Sequence, residues 1–324
     1  TLISDGRLYY RGKDAVELSR RGSLEQVAAL IWQADGDSIV CKPQDVDALP
    51  WEILRALPPT DAFQVAAPIA STSDLAVYSP DPQVASETGA RIVGLFAAIV
   101  AGGAETMGSV AETLREGWGV PGDPEPARGL LNATLILCAD HELNASAFTA
   151  RTVASTGSTL YAAVNAGLSA LQGHKHGGST DRVEALFSEV ELRGDATQVL
   201  ANYMRRGDIV PGFGHNLYPD GDPRAAELLA RTRESYGDAM RLTPADDLAR
   251  ATEGGLGQRP NIDFALVAVR RALQLPVGSA LTLFALGRTV GWIGHAIEQY
   301  ATDRLIRPRA RYVGITPEQT GDDM

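Results

Sequence analysis

The chain is nearly without lysine. Only Lys13, Lys42 and Lys175 break a cationic set that is otherwise arginine, and acids outnumber bases, 40 to 29, for a net charge of −11. That balance excludes general binding to nucleic acid or to an anionic membrane surface. It also means that cations, where present, are planar forks suited to carboxylates and phosphates rather than point charges. Cysteine is almost absent too. Cys41 and Cys138 lie far apart in apolar surroundings, which reads as two reduced core residues of a cytoplasmic protein rather than a disulfide or a metal pair. Long apolar runs are missing: the best candidate for a membrane span, residues 92–104, is short and rich in Gly and Ala. The chain opens on Thr1 with no secretory pattern, leaving room for residues upstream, and is expected to be soluble.

Strand signals are scarce. The turn Asp5-Gly6 between two short β-prone segments predicts one N-terminal hairpin. From Asp14 onward the apolar residues recur at three- and four-residue spacing, and Ser23 with Gln26 forms a capping-box pattern. Proline clusters at 58–59, 79–82 and 121–126 separate helices. One long helix is expected over 144–171, dense in Ala, Ser, Thr and Gly, so that its backbone sits close to a neighbour. Further helices are expected over 183–204, 225–236, 244–253, 262–273 and 280–300. There are no repeats and no flexible linker. The fold class is mainly α.

The stretch 211–224, PGFGHNLYPDGDPR, holds three instructions at once. Gly212 and Gly214 permit a sharp turn or close approach, His215 follows, and Asp222-Pro223 starts a helix that carries Arg224 in its first turn. It reads either as a carboxylate-binding, carbonyl-polarising site or as a glycine loop with a surface histidine. The other histidines are His141, His174, His176 and His295, of which the last, mid-helix, is structural. His174-x-His176 offers two metal ligands, but no HExxH or second Cys/His cluster completes a set. No Gly-x-Ser-x-Gly elbow, dinucleotide fingerprint or phosphate loop is present. What remains is His, Asp and Arg. Asp263 precedes an apolar helix, where desolvation makes a carboxylate a base, although a helix cap is the plainer role. Arg288, in an apolar helix, requires a core carboxylate or a bound anion. Arg304, Arg307, Arg309 and Arg311 form either a solvated tail or an anion site.

Taken in order, LYYRGKDAVEL at 8–18, ADHELNASAFTARTVAST at 139–156, GHKHGGS at 173–179, GFGHNLYPDGDPRA at 212–225, RPNIDF at 259–264, and ALGRTVGWIGHAIEQ with LIRPRARYVG within 285–314 resemble the citrate synthase family over nearly the whole chain. The resemblance implies a two-domain helical fold with the short hairpin at its start. Residues 1–177 with 273–324 would form a large domain, and 178–272 a small mobile one. It implies a homodimer, no metal, and a condensation of oxaloacetate with an acyl-CoA co-substrate, acetyl-CoA or, in 2-methylcitrate synthases, propionyl-CoA. Asp263 matches the base, His176 the donor to the thioester oxygen, and His215 the donor to the ketone. His141, Arg224 and Arg288 match groups holding oxaloacetate, and Arg307 an arginine donated by the partner subunit. Thioesterase or citryl-CoA lyase chemistry is open to the same site. So is a regulatory protein that senses oxaloacetate or acyl-CoA, though a sensor has no need for the base. The departures fall on the acyl-CoA side: His174-Lys175 where relatives read Pro-Leu, Thr180 where Asn is common, and Pro219 where a basic residue is common. Residues 100–125 are also short for the family.

Overall fold

A computed structural model describes residues 1–43, 46–79, 81–103, 108–237 and 240–314. The hairpin forms as expected: β1 (Leu2–Ser4) pairs antiparallel with β2 (Arg7–Tyr10), Ile3 opposite Leu8. Asp5 and Gly6 both take positive φ, the geometry that matches strand twist in a two-residue turn. A third strand, β3 (Lys13–Asp14), extends the sheet. Asp14 then caps α1 (Ala15–Arg21), and the Ser23–Gln26 capping box starts α2 (Leu24–Trp32) with both reciprocal bonds made.

The remaining helices follow in order. They are α3 (Trp51–Ala56), α4 (Pro59–Ser71), α5 (Pro82–Val100), α6 (Val110–Gly117) and α7 (Pro124–Cys138). After them come α8 (Ala145–Ala154), α9 (Leu160–Leu171), α10 (Ser179–Arg193), α11 (Ala196–Arg206), α12 (Pro223–Tyr236), α13 (Thr243–Leu256), α14 (Ile262–Ala272) and α15 (Ser279–Thr302).

Two expected helices are each divided. The segment 144–171 breaks at Gly157, in the left-handed region, and restarts at Thr159, whose side chain caps α9. The chain folds back, so α8 and α9 pack on each other, and the small residues serve that contact. The segment 183–204 starts earlier, at Ser179, and breaks at Gly194-Asp195. Gly194 closes α10 with positive φ and Asp195 caps α11.

The core is organised on α15, which packs against α2, α4, α5, α7, α8, α9 and α14. Its glycines permit this. A Cβ on Gly291 would lie 2.4 Å from the carbonyl oxygen of Ala139, so nothing larger lets α15 meet the chain after α7. Helices α5 and α15 are long and apolar enough to span a membrane, unlike any run read from the sequence. Both are largely buried among the other helices, which accounts for their composition. Helices α10 to α14 pack chiefly on one another, with α12 reaching α7 and α14 reaching α15.

Candidate active site

Four segments meet around a cleft of about 860 Å³. The first follows α7. Asp140 is buried, and although burial pushes its carboxyl up, His295, Arg288 and Thr1 hold it below the ordinary range. His295 Nε2 lies 3.2 Å from Asp140 Oδ1, the structural role expected of that histidine. The next residue, His141, faces the cleft with Nε2 sharing a 3.0 Å hydrogen bond with the Tyr218 hydroxyl. Burial, then the charges of Arg224 and Arg288, keep its imidazole neutral. Asn144 caps α8 and donates to the His141 carbonyl at 3.1 Å.

The second segment is the turn before α10. His176 N–H donates to Gly173 O, and Gly178 N–H to Leu171 O, which folds the turn tightly and points the His176 ring at the cleft. Its Nε2 lies 2.9 Å from Ser146 Oγ, and Ser146 Oγ is also 2.9 Å from Asn144 Oδ1. Burial and Arg288 bring the His176 pKa down to about 4, so it too is neutral. Ser146 has one proton, donated either to Asn144 Oδ1 or to His176 Nε2, and its placement decides the tautomer. When it goes to Nε2, the imidazole proton sits on Nδ1 and is free for a ligand.

The third segment couples 212–216 to 259–263. Gly214 N–H donates to Arg259 O, and Asn261 N–H to Gly212 O. Gly212 takes φ +86°, and a Cβ there would come within 3.2 Å of Val183 and Phe264 side chains, so this crossing needs glycine. Leu217 N–H donates to His215 Nδ1 at 3.1 Å. Nδ1 is therefore the acceptor, and a neutral His215 carries its proton on Nε2. Burial first, then Arg224, lowers its pKa. Asn261, not Asp263, caps α14, accepting from the N–H groups of Asp263 and Phe264. That leaves the Asp263 carboxyl uncommitted to the helix end. Burial raises its pKa to about 7 against the pull of Arg224 and a hydrogen bond from Ser179, a base poised near neutrality.

The fourth segment is Arg288 on α15. It is almost fully buried; its Nε donates to Cys138 O at 2.8 Å, and among the described residues its Nη2 has no hydrogen-bond partner. Among the described residues no carboxylate pairs with it, which leaves a buried donor on a side chain that lines the cleft. Arg224, by contrast, is held by Asp222 through two bonds of 2.9 and 2.8 Å. Asp222 also caps α12 and accepts from Ile262 N–H at 3.0 Å. It fastens the Arg224 segment to the Asp263 segment.

The cleft thus gathers His141, His176, His215, Arg224, Asp263 and Arg288. Arg307 is not among them; it is exposed in the segment after α15, as are Arg304, Arg309 and Arg311. Among the described residues no group of three or more His, Cys, Asp or Glu is placed to hold a metal ion. Cys138 is buried, its thiol pushed up to about 12, which makes it a poor nucleophile. Sequence reasoning missed Ser146, Ser179 and Tyr218, and read Asp222 only as a cap. No local signal marks them, because their roles depend on partners distant in sequence.

The family model for the citrate synthase C-terminal domain matches residues 1–309. The citrate synthase of Haloferax volcanii is 31% identical across 95% of this chain and 90% of its own. The chain belongs to the citrate synthase family. It is accordingly a condensing enzyme of the acyltransferase type. Another member, 2-methylcitrate synthase 2 of Corynebacterium glutamicum, is 27% identical across 95% of this chain and 88% of its own. Among solved members, citrate synthase from Pyrobaculum aerophilum superposes with a TM-score of 0.82 at 26% identity, covering 97% of this chain and 88% of that one. The citrate synthase of Thermoplasma acidophilum, solved with carboxymethyl coenzyme A and oxaloacetate, gives 0.84 at 24% identity over 98% and 93%. The fold is the family's all-α fold.

Proposed function

We propose that this citrate synthase-family chain condenses oxaloacetate with an acyl-CoA, most readily acetyl-CoA, to citrate or a homologue and free CoA. The observation that carries the reading is Asp263, a half-buried carboxyl with its pKa raised to about 7, in one cleft with neutral His176 and His215. The Asp263 carboxylate takes the α-proton of the thioester. A thioester α-hydrogen is a weak acid, so the developing oxygen charge has to be met by a donor; His176 is that donor. The enol carbon then forms a bond to the ketone carbon of oxaloacetate. Its carbonyl electrons move to oxygen, which takes the Nε2 proton of His215 and becomes a hydroxyl. Water finally cleaves the thioester and releases CoA. These steps use side chains alone, with no metal or organic cofactor.

Oxaloacetate is a dianion. The unpartnered Nη2 of Arg288 supplies one buried charge-assisted contact, with Arg224 and His141 beside it. We assign Arg307 to the neighbouring site of a homodimer, where Arg307 of the partner subunit completes the carboxylate clamp; its exposure in this chain accords with that. We also assign 1–177 with 273–324 to a large domain and 178–272 to a small mobile one. The mutual packing of α10–α14 supports the division, and closure would exclude water from the cleft. Two free thiols, one deeply buried, accord with the cytoplasm.

The test is release of CoA with oxaloacetate plus acetyl-CoA or propionyl-CoA. Turnover is expected, and Asp263→Ala should abolish it while oxaloacetate still binds. Absence of thiol release from both thioesters at saturation would sink the reading. A sensor of the same ligands would bind without turnover, and the base at Asp263 argues against it.

A further inference from the structure

Tyr218 does not line the cleft, yet its ring meets three side chains that do: His141, His215 and Arg224. Its centroid lies 4.8 Å from that of the His215 ring and 5.6 Å from that of His141, and the Arg224 guanidinium sits over it at 5.5 Å. The turn after Gly214 holds it there. Tyr218 N–H donates to His215 O, and Gly221 N–H donates to Tyr218 O. The side chain is buried, and burial first of all pushes its phenol up to about 12, so it keeps its proton. Among the described residues the hydroxyl has one hydrogen-bond partner, His141 Nε2 at 3.0 Å.

Two arrangements of that bond are open, and burial decides between them. If the imidazole donated, the phenol proton would be stranded in the interior without an acceptor, which buried donors avoid. If the phenol donates, Nε2 is the acceptor, and a neutral His141 carries its proton on Nδ1. Nδ1 makes no hydrogen bond, yet it is not sealed off. Among the described residues the buried side-chain polar atoms without a partner belong to Asn165, Thr252, Arg288 and Trp292. His141 lines the cleft, so the Nδ1 proton is open to a ligand there.

We propose that Tyr218 is a positioning residue for oxaloacetate: its hydroxyl locks His141 in the Nδ1–H tautomer and so makes that histidine a hydrogen-bond donor to the substrate. This rests on the oxaloacetate reading above. Every oxygen of the oxaloacetate dianion is an acceptor. The other tautomer, with the proton on Nε2, would present it with a bare nitrogen, lone pair against lone pair. Tyr218 touches no substrate atom and acts through His141, which lies 77 positions earlier in the chain. The stretch 211–224 thus supplies His215 and Arg224 to the cleft, and also the residue that sets the proton of a histidine on another segment.

The experiment uses the full chain, wild type and Tyr218→Phe, with histidine labelled at its ring nitrogens. NMR correlation of those nitrogens with the carbon-bound ring protons reads each tautomer, and His141→Gln identifies the His141 signals. In the wild type without substrate, His141 should show a protonated Nδ1 and a bare Nε2. The pattern should hold between about pH 6 and pH 8, because burial keeps the imidazole neutral. Tyr218→Phe keeps the ring contacts and removes the donor, so the form protonated at Nε2 should appear. Oxaloacetate binding, followed by calorimetry, should weaken by about tenfold, as for one lost hydrogen bond to a charged acceptor. KM for acetyl-CoA at saturating oxaloacetate should stay within about twofold. A bare Nδ1 in the wild type overturns the proposal, and so does a Tyr218→Phe chain that keeps either the tautomer or the affinity. The wild-type spectrum needs neither turnover nor a variant that folds. A chain that meets both expectations but releases no CoA would refute the condensation and leave the role of Tyr218 standing.

Discussion

Asp263 should make the protein both active and less stable, and one substitution separates the two. Burial raises its pKa from 3.8 to about 7. A shift of about three units, at ~1.36 kcal/mol each, is about 4 kcal/mol of differential stability. The sign follows from proton binding. Well below pH 3.8 the carboxyl is protonated in the folded and unfolded chain alike. As pH rises through about 7 the unfolded chain ionises first, so the folded state loses stability throughout that window. Asp263→Asn carries no charge at any pH and preserves the shape and the contact with Ser179. The variant should exceed wild type by about 2–4 kcal/mol at pH 8 and by only about 1.5 kcal/mol at pH 5, read as the shift in urea midpoint at each pH. Its kcat should fall by about 10³-fold or more. In the wild type, kcat/KM for the thioester should rise through pH 7 as the base ionises. A variant with equal gains at both pH values, or none at pH 8, would show that the carboxyl is not the desolvated base the cleft geometry implies.

Two further outcomes follow from the packing and from the assignment of Arg307. Gly291→Ala places a methyl 2.4 Å from Ala139 O, two residues before His141. It should cost about 1–3 kcal/mol and raise the oxaloacetate KM, and an unchanged KM with normal melting would refute this account of α15. Arg307→Ala and Asp263→Ala should each be inactive as homodimers, yet regain activity when mixed and allowed to exchange subunits, because one site of the mixed dimer is whole. Failure to regain activity in a demonstrated heterodimer would place Arg307 outside the partner's site.

Much of the site was legible because its residues sit in short segments with local grammar. Asp222-Pro223 starts a helix wherever it occurs, and the structure shows Asp222 capping α12 with Arg224 in the first turn. The Ser23–Gln26 box likewise needs only its own four residues. The divided helices were not legible: 144–171 and 183–204 have acceptable helical composition throughout. The breaks at Gly157 and Gly194 yield a turn because α8 packs on α9 and α11 on α13. Asp263 shows the same limit at the level of one side chain. The sequence allows a cap or a base, and Asn261, by taking the cap, leaves the base.

The sequence by itself therefore determined the helical class, the hairpin, the helix starts and the set of His, Asp and Arg from which a carbonyl and carboxylate site is made. Those follow from local propensity, capping and charge, which act over a few residues. Only the tertiary structure decided which charges stay free. Among the described residues Arg224 is tied to Asp222, Arg288 keeps a buried donor without a hydrogen bond, and Asp263 is partly withdrawn from water. Desolvation depends on elements distant in sequence, as where Arg288 donates to the carbonyl of Cys138, 150 positions away, and it fixes protonation state and therefore chemistry.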